Sequence, residues 1–217
     1  ELLIRTRASG TCGSDLMEWY RIKKAPLVLG HEITGEVVGV GDGVEKFKVG
    51  DRVFSSHHVP CGKCRYCLEG HQSVCDLLRT THFDPGGFAE YVRVPKINVE
   101  LGTLRIPDTM TFDEGSFIEP LACVVRAQRF AGLGVGQTML VVGSGISGLL
   151  HIQLARARGA ARIIATDISD FRLKAAARFA AHVTLHGSED VPPRVRDLND
   201  GRPGRIRSHR HHPGATT

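Results

Sequence analysis

Thr138-Met139-Leu140-Val141-Val142-Gly143-Ser144-Gly145-Ile146-Ser147-Gly148 is the stretch that decides the fold. Five residues with an apolar β-type run lead into glycines spaced Gly-x-Gly-x-x-Gly, and Ile146–Arg158 then reads as a helix. A strand, a glycine turn and a helix in that order form the opening of a dinucleotide-binding unit. Gly143 permits the tight turn, Gly145 lets backbone approach a pyrophosphate, and Gly148 lets helix and strand pack closely. The helix N-terminus, led by Ile146, turns its partial positive charge toward the phosphates. Arg162–Thr166 predicts a second strand, Asp170–Ala180 a helix, Val183–Leu185 a third strand and Pro192–Leu198 a last helix with proline in its first turn. This alternation begins a doubly wound parallel sheet. Asp167 ends the second strand, nineteen residues after Gly148. A carboxylate there accepts the ribose hydroxyls of NAD and repels the 2′-phosphate of NADP. Arg172 either flanks the adenine or is a solvated helix residue.

Upstream the pattern changes. Residues 1–110 hold short alternating runs between glycine turns, such as Gly35–Gly41 and Asp51–Phe54, and predict a small, partly open β-barrel. Thr111–Gly115 reads as a helix start, and Glu119-Pro120 leads into a helical stretch over Leu121–Phe130.

Within that first half lies Cys61-x2-Cys64-x2-Cys67-x7-Cys75, four cysteines in fifteen residues. Four thiolates so spaced close a tetrahedron around Zn²⁺ and leave no open position, which marks a structural site. Disulfides are disfavoured by the absence of a secretory pattern in this sequence. A ferredoxin cluster would continue with x3 and Cys-Pro, whereas here the gap is seven and Asp76 follows. Cys12 and Cys123 stand apart, Cys123 being expected as a buried helix cysteine.

The 217 residues carry a formal charge of +5, but Arg202, Arg205, Arg207 and Arg210 lie in a stretch, 201–217, without an acid. The rest holds 24 basic and 23 acidic residues, net +1, so the charge is poor support for a nucleic-acid face. No apolar run is long enough to span a membrane, and Glu1–Arg7 lacks a signal-peptide core. The expected compartment is the cytoplasm, with neither nucleic acid nor membrane as partner.

Taken in order, Cys12-Gly13-Ser14-Asp15, Gly30-His31-Glu32, the four-cysteine lobe, Glu119-Pro120-Leu121-Ala122-Cys123 and Gly143–Gly148 resemble the zinc-dependent medium-chain dehydrogenases, the group of alcohol, sorbitol and threonine dehydrogenases. The resemblance implies a mixed fold: a GroES-like β-barrel catalytic domain over 1–112 with its structural zinc lobe at 57–80, then a partial α/β Rossmann domain over 113–198. Residues 199–217 are expected to be a disordered basic tail. The resemblance further implies that Cys12 and His31 bind a catalytic zinc, with a carboxylate from Glu32 or Glu119 completing the shell. The Glu119-Pro120 form is similar to the sorbitol and threonine dehydrogenase branch. The implied chemistry is hydride transfer from a secondary alcohol or polyol to NAD, with zinc lowering the pKa of the substrate hydroxyl. Ser14 is placed to pass the proton outward. Met17 stands where many relatives continue this relay with histidine, so the outer relay ends in water or uses His57 or His58; those two also read as a solvated loop. Trp19 and Tyr20 either line the substrate site or pack the core. Relatives continue well past residue 200 and form homo-oligomers, so the chain is expected to be a truncated form whose last residues read as out of frame. A zinc-binding remnant without catalysis is the alternative function.

Overall fold

The computed structural model describes residues 1–202 of the chain. The tail's expected disorder falls mostly on residues 203–217 and so lies outside the described residues. Two compact units divide at Pro120.

The first unit is built on five strands: β1 (Leu2–Gly10), β2 (Glu32–Val40), β3 (Arg52–Ser56), β4 (Tyr91–Val94) and β5 (Thr103–Arg105). They pair antiparallel in the order β4-β1-β2-β3-β5. Alternation drives the inward face. Leu2 and Ile4 of β1, Val92 and Val94 of β4, and Ile33 and Val37 of β2 point into one cluster with Val53, Phe47, Phe83 and Val99. Each fully buried aliphatic side chain contributes roughly 1.5–3 kcal/mol by leaving water. Register shifts between Leu3 and Ile4 and between Thr6 and Ala8 re-aim the end of β1, where Gly10 pairs with Glu32. Four short helices decorate this sheet: α1 (Glu18–Arg21), α2 (Arg65–Leu68), α3 (Lys96–Gly102) and α4 (Phe112–Ser116). Helix α4 starts on a reciprocal cap. Thr111 Oγ1 accepts from the Glu114 backbone N–H, and the Glu114 carboxylate accepts from the Thr111 N–H. A further helix, α5 (Ile118–Ala131), begins at the end of this unit with Pro120 at its third position, where a missing N–H costs nothing.

The second unit holds three parallel strands, β6 (Thr138–Val142), β7 (Arg162–Asp167) and β8 (Val183–His186), ordered as numbered. Helices α6 (Ile146–Ala157) and α7 (Asp170–Arg178) make the crossovers, and α8 (Val191–Leu198) follows β8. Ile163 and Ala165 of β7 pack with Val141 of β6, Ile152 and Ala155 of α6, and Ala176 of α7. The expected strand-helix alternation is therefore present, element for element, from Thr138 to Leu198. Strands β6 and β8 are the edges of this sheet among the described residues. Large apolar side chains are left in solvent, Ile168 and Phe171 among them.

Two elements carry too little signal in the sequence. Strand β5 is three residues long and α1 four, too short for either pattern to repeat. Strand β4 does alternate, since Tyr91 and Arg93 are exposed while Val92 and Val94 are buried.

Candidate metal centres and nucleotide site

Four sulfurs come together where the spacing placed them. Cys64 Sγ lies 3.5 Å from Cys67 Sγ, and Cys61 Sγ lies 3.9 Å from it. Zn–S bonds of about 2.3 Å put tetrahedral sulfurs about 3.8 Å apart, so the observed separations suit a shared ion. They are far too long for a disulfide bond of about 2.05 Å. Backbone donors shape the pocket: Cys64 N–H points at Cys61 Sγ (3.2 Å) and Cys61 N–H at Cys75 Sγ (3.4 Å). The N–H of Cys61 holds the Cys75 thiol down at about 6. Burial pushes Cys67 up to about 12. Without a cation the Cys67 thiol thus keeps its proton, whereas a divalent ion favours the thiolate.

A second cluster joins residues far apart in sequence. Cys12 follows β1, and His31 and Glu32 lead into β2. Pairing of Gly10 with Glu32 brings them together, and their ligand atoms all lie within 4.8 Å of one another. The hydrogen bond between Cys12 and His31 dominates both titrations: it pulls the thiol below its ordinary value and pushes the imidazole above its own. Glu32 is buried, and that burial raises its carboxyl. Its carboxylate lies over Gly10, where a Cβ would collide with Oε2. The backbone is thus shaped around that carboxylate. Thiolate, imidazole and carboxylate make a donor set that suits Zn²⁺ and leaves a fourth position open. Glu119 is not among these converging donors, but its charge is felt by both His31 and Glu32.

Two residues behind this cluster carry weight that the sequence reading did not assign them. Asp15, buried, accepts from the Cys12 N–H (3.1 Å) and from Arg21 Nη2 (3.0 Å), and its Oδ1 lies 3.5 Å from His31 Nδ1. A carboxylate facing Nδ1 at that distance favours a proton there and leaves Nε2 for a metal. Arg21 also donates to the Ser14 carbonyl (2.8 Å) and to Ser14 Oγ (3.0 Å). A permanently charged guanidinium cannot take the proton onward, so Arg21 anchors the Ser14 hydroxyl and does not extend a relay. The Cys-Gly-Ser-Asp motif contains Asp15, so its residue type was visible; its partner Arg21 had no motif to mark it.

Beside His31 stand three more imidazoles. The ring of His57 lies 6.1 Å from that of His31, 4.1 Å from His58 and 5.3 Å from His82, centroid to centroid. His57 is largely enclosed, and burial holds it near 3, so it is neutral at physiological pH and not part of a solvated loop. Trp19 and Tyr20 are exposed and belong to no core; Lys24 donates to the Tyr20 hydroxyl (2.7 Å). Cys123, expected to be buried, is exposed on α5.

At the glycine turn, Gly143 has φ +89°, and a Cβ on Gly148 would strike the Gly143 carbonyl. Helix α6 therefore starts as close to β6 as backbone allows. Ser144 N–H donates to Asp167 Oδ2 (2.7 Å) and Ser169 N–H to Oδ1 (2.9 Å), which pins the carboxylate at the end of β7. Arg172 is exposed, its Nη1 3.8 Å from Asp167.

Residues 1–108 match the family described as alcohol dehydrogenase GroES-like domain, and residues 147–204 match zinc-binding dehydrogenase. The chain belongs to the zinc-dependent dehydrogenases of the alcohol dehydrogenase type. Among similar proteins, sorbitol dehydrogenase of Bacillus subtilis is 36% identical, with 93% of this chain aligned to 59% of that one. L-threonine 3-dehydrogenase of Pyrococcus abyssi is 39% identical over the same shares, 93% and 59%. A zinc-binding dehydrogenase from Sinorhizobium meliloti, solved bound to NADP, superimposes with a TM-score of 0.78 at 34% identity, covering 88% of this chain and 56% of that one. The chain thus spans less than three fifths of the length of those curated relatives. No helix among the described residues is long and apolar enough to cross a membrane.

Proposed function

We propose that this chain is the metal-binding and nucleotide-binding part of an oxidoreductase that moves a hydride from a secondary alcohol or polyol to NAD. The convergence of Cys12, His31 and Glu32 within 4.8 Å, beside a separate four-cysteine site, carries the reading. Cys12, His31 and a carboxylate would hold the reactive zinc. Glu32 is the third ligand in this arrangement, and Glu119 stands behind it to exchange with it. Zinc bound there supplies a Lewis acid for the substrate oxygen. Asp15 orients His31, and Ser14 holds its hydroxyl where a proton leaves the site. Cys61, Cys64, Cys67 and Cys75 hold a structural zinc. Gly143, Gly145, Gly148 and the α6 N-terminus at Ile146 receive the pyrophosphate.

Asp167 supports NAD over NADP. Its carboxylate is fixed by two backbone N–H groups, so it meets an incoming 2′-phosphate as an immobile charge. The exposed Arg172 contributes at the adenine rim. Residues 1–112 act as the catalytic domain, with the zinc lobe at 57–80, and 113–198 as the nucleotide domain. The whole protein is proposed to act in the cytoplasm as a homo-oligomer.

The test is zinc per chain, then calorimetric binding of NAD and NADP, then turnover on a polyol panel. The expected result is a zinc bound through Cys12, lost in Cys12→Ser, and NAD bound more tightly than NADP. A Cys12→Ser chain with unchanged zinc content would refute the site. Since the chain spans 59% of its relatives' length, a second reading is a zinc-loaded protein without turnover; zinc and NAD binding with no oxidation would select it.

A further inference from the structure

We propose that His57, His58 and His82 form a third metal site, an accessible all-imidazole centre for a borderline divalent ion such as Zn²⁺, Co²⁺ or Ni²⁺, separate from both cysteine-containing sites. Their ring nitrogens lie within 4.8 Å of one another. Tetrahedral Zn–N bonds of about 2.0–2.1 Å put nitrogens about 3.4 Å apart, so the widest edge has to close by about 1.4 Å at most. His58 and His82 are exposed and have room to swing.

The backbone beneath them is fixed from two sides. The Asn98 amide, fully buried, donates to the carbonyls of Ser56 (2.8 Å) and His57 (2.9 Å). Thr81, also buried, ties the two segments together: its Oγ1 accepts from the Val59 N–H (3.0 Å), and its carbonyl accepts from His58 Nδ1 (2.8 Å). That last bond sets the tautomer. With its proton on Nδ1, His58 offers Nε2, the arrangement in which metal-bound histidines are commonly held by a carbonyl or carboxylate. Phe83, buried, packs edge-on against His57 with ring centroids 5.2 Å apart and limits its rotation. Three imidazoles leave at least one coordination position for water or a ligand oxygen. Arg21 and Lys24 place positive charge nearby, which makes this ion the weakest held of the three.

The experiment counts metal per chain after dialysis of the full chain against buffered Zn²⁺, in the wild type, His58→Ala and His82→Ala. Both positions are exposed, so the fold should tolerate either change. The wild type is expected to hold one ion more than each variant. Substitution with Co²⁺ identifies that ion: its absorption is d–d only, while the sulfur-to-cobalt charge-transfer bands stay at wild-type intensity in both variants. Histidines 209, 211 and 212 are common to all three proteins, so any metal they bind cancels. Equal counts in the three chains would overturn the proposal. So would loss of charge-transfer intensity together with the ion, because the lost metal would then be sulfur-bound. Failure at the Cys12 centre is read separately, in Cys12→Ser, where the lost ion takes charge-transfer absorption with it.

Discussion

Replacing Asp15 by Asn should weaken the Cys12–His31–Glu32 centre without touching any of its three donor atoms. The carboxylate receives Cys12 N–H on Oδ2 and Arg21 Nη2 on Oδ1, with His31 Nδ1 3.5 Å away. Asparagine keeps the shape but has one oxygen, so an amide NH2 must face either Cys12 N–H or Arg21. Breaking a fully buried ion pair costs about 3–5 kcal/mol. Here Arg21 is 19% exposed and keeps its two bonds to Ser14, so about 2 kcal/mol in global stability is the expected loss. Loss of a group that orients a ligating histidine lowers metal affinity by about 10–100-fold, or about 1.4–2.7 kcal/mol. Chelator competition read by a chromophoric zinc indicator resolves the tighter four-cysteine ion from this one. The step that disappears in Cys12→Ser should shift by that factor, and the four-cysteine step should stay in place. An affinity within twofold of the wild type would show that Asp15 does not hold His31, and the reasoning would fall.

Gly10→Ala puts a methyl group where the Glu32 carboxylate lies; zinc affinity at this centre should drop while β1 and β2 stay paired, which zinc titration and circular dichroism together would check. Gly148→Val drives a side chain into the Gly143 carbonyl; NAD binding measured by calorimetry should be lost, with stability down by roughly 1–3 kcal/mol from overpacking. Thr111→Ala removes the α4 cap and should cost about 1 kcal/mol in denaturant unfolding at neutral pH. The Thr111 N–H, which the variant keeps, and the Thr111 hydroxyl, which it loses, hold the Glu114 carboxyl below its usual range, so the hydroxyl's contribution is present above the ordinary value and is lost as pH falls through the lowered one. The wild-type advantage over Thr111→Ala should therefore shrink in acid, and a gap that widens there would contradict the cap.

The glycine turn and the four-cysteine lobe were legible because each is built from residues close in sequence. Local geometry alone dictates that Gly143 turns at positive φ and that fifteen residues can wrap one ion. Element boundaries from Thr138 onward followed for the same reason, since strands and helices of normal length show their period. The exposure of Cys123 is not legible in the sequence, because a lone apolar residue on a helix says nothing of which face it occupies. His57 was hard to place because burial is a property of what packs over a loop, here His58, His82 and Phe83.

By itself, then, the sequence determined the parts that close on themselves: the lobe, the strand-turn-helix, and the identity of candidate donors at Cys12, His31, Glu32 and Glu119. Only tertiary structure decided which donors meet. Antiparallel pairing sets Gly10 against Glu32 across twenty-two residues of chain, and that register puts Glu32 rather than Glu119 among the atoms that converge with Cys12 and His31. It also supplied Asp15 and Arg21 behind the centre and brought His82 to His57 and His58. Such encounters depend on which backbone hydrogen bonds form between distant segments, and no periodicity within either segment encodes them.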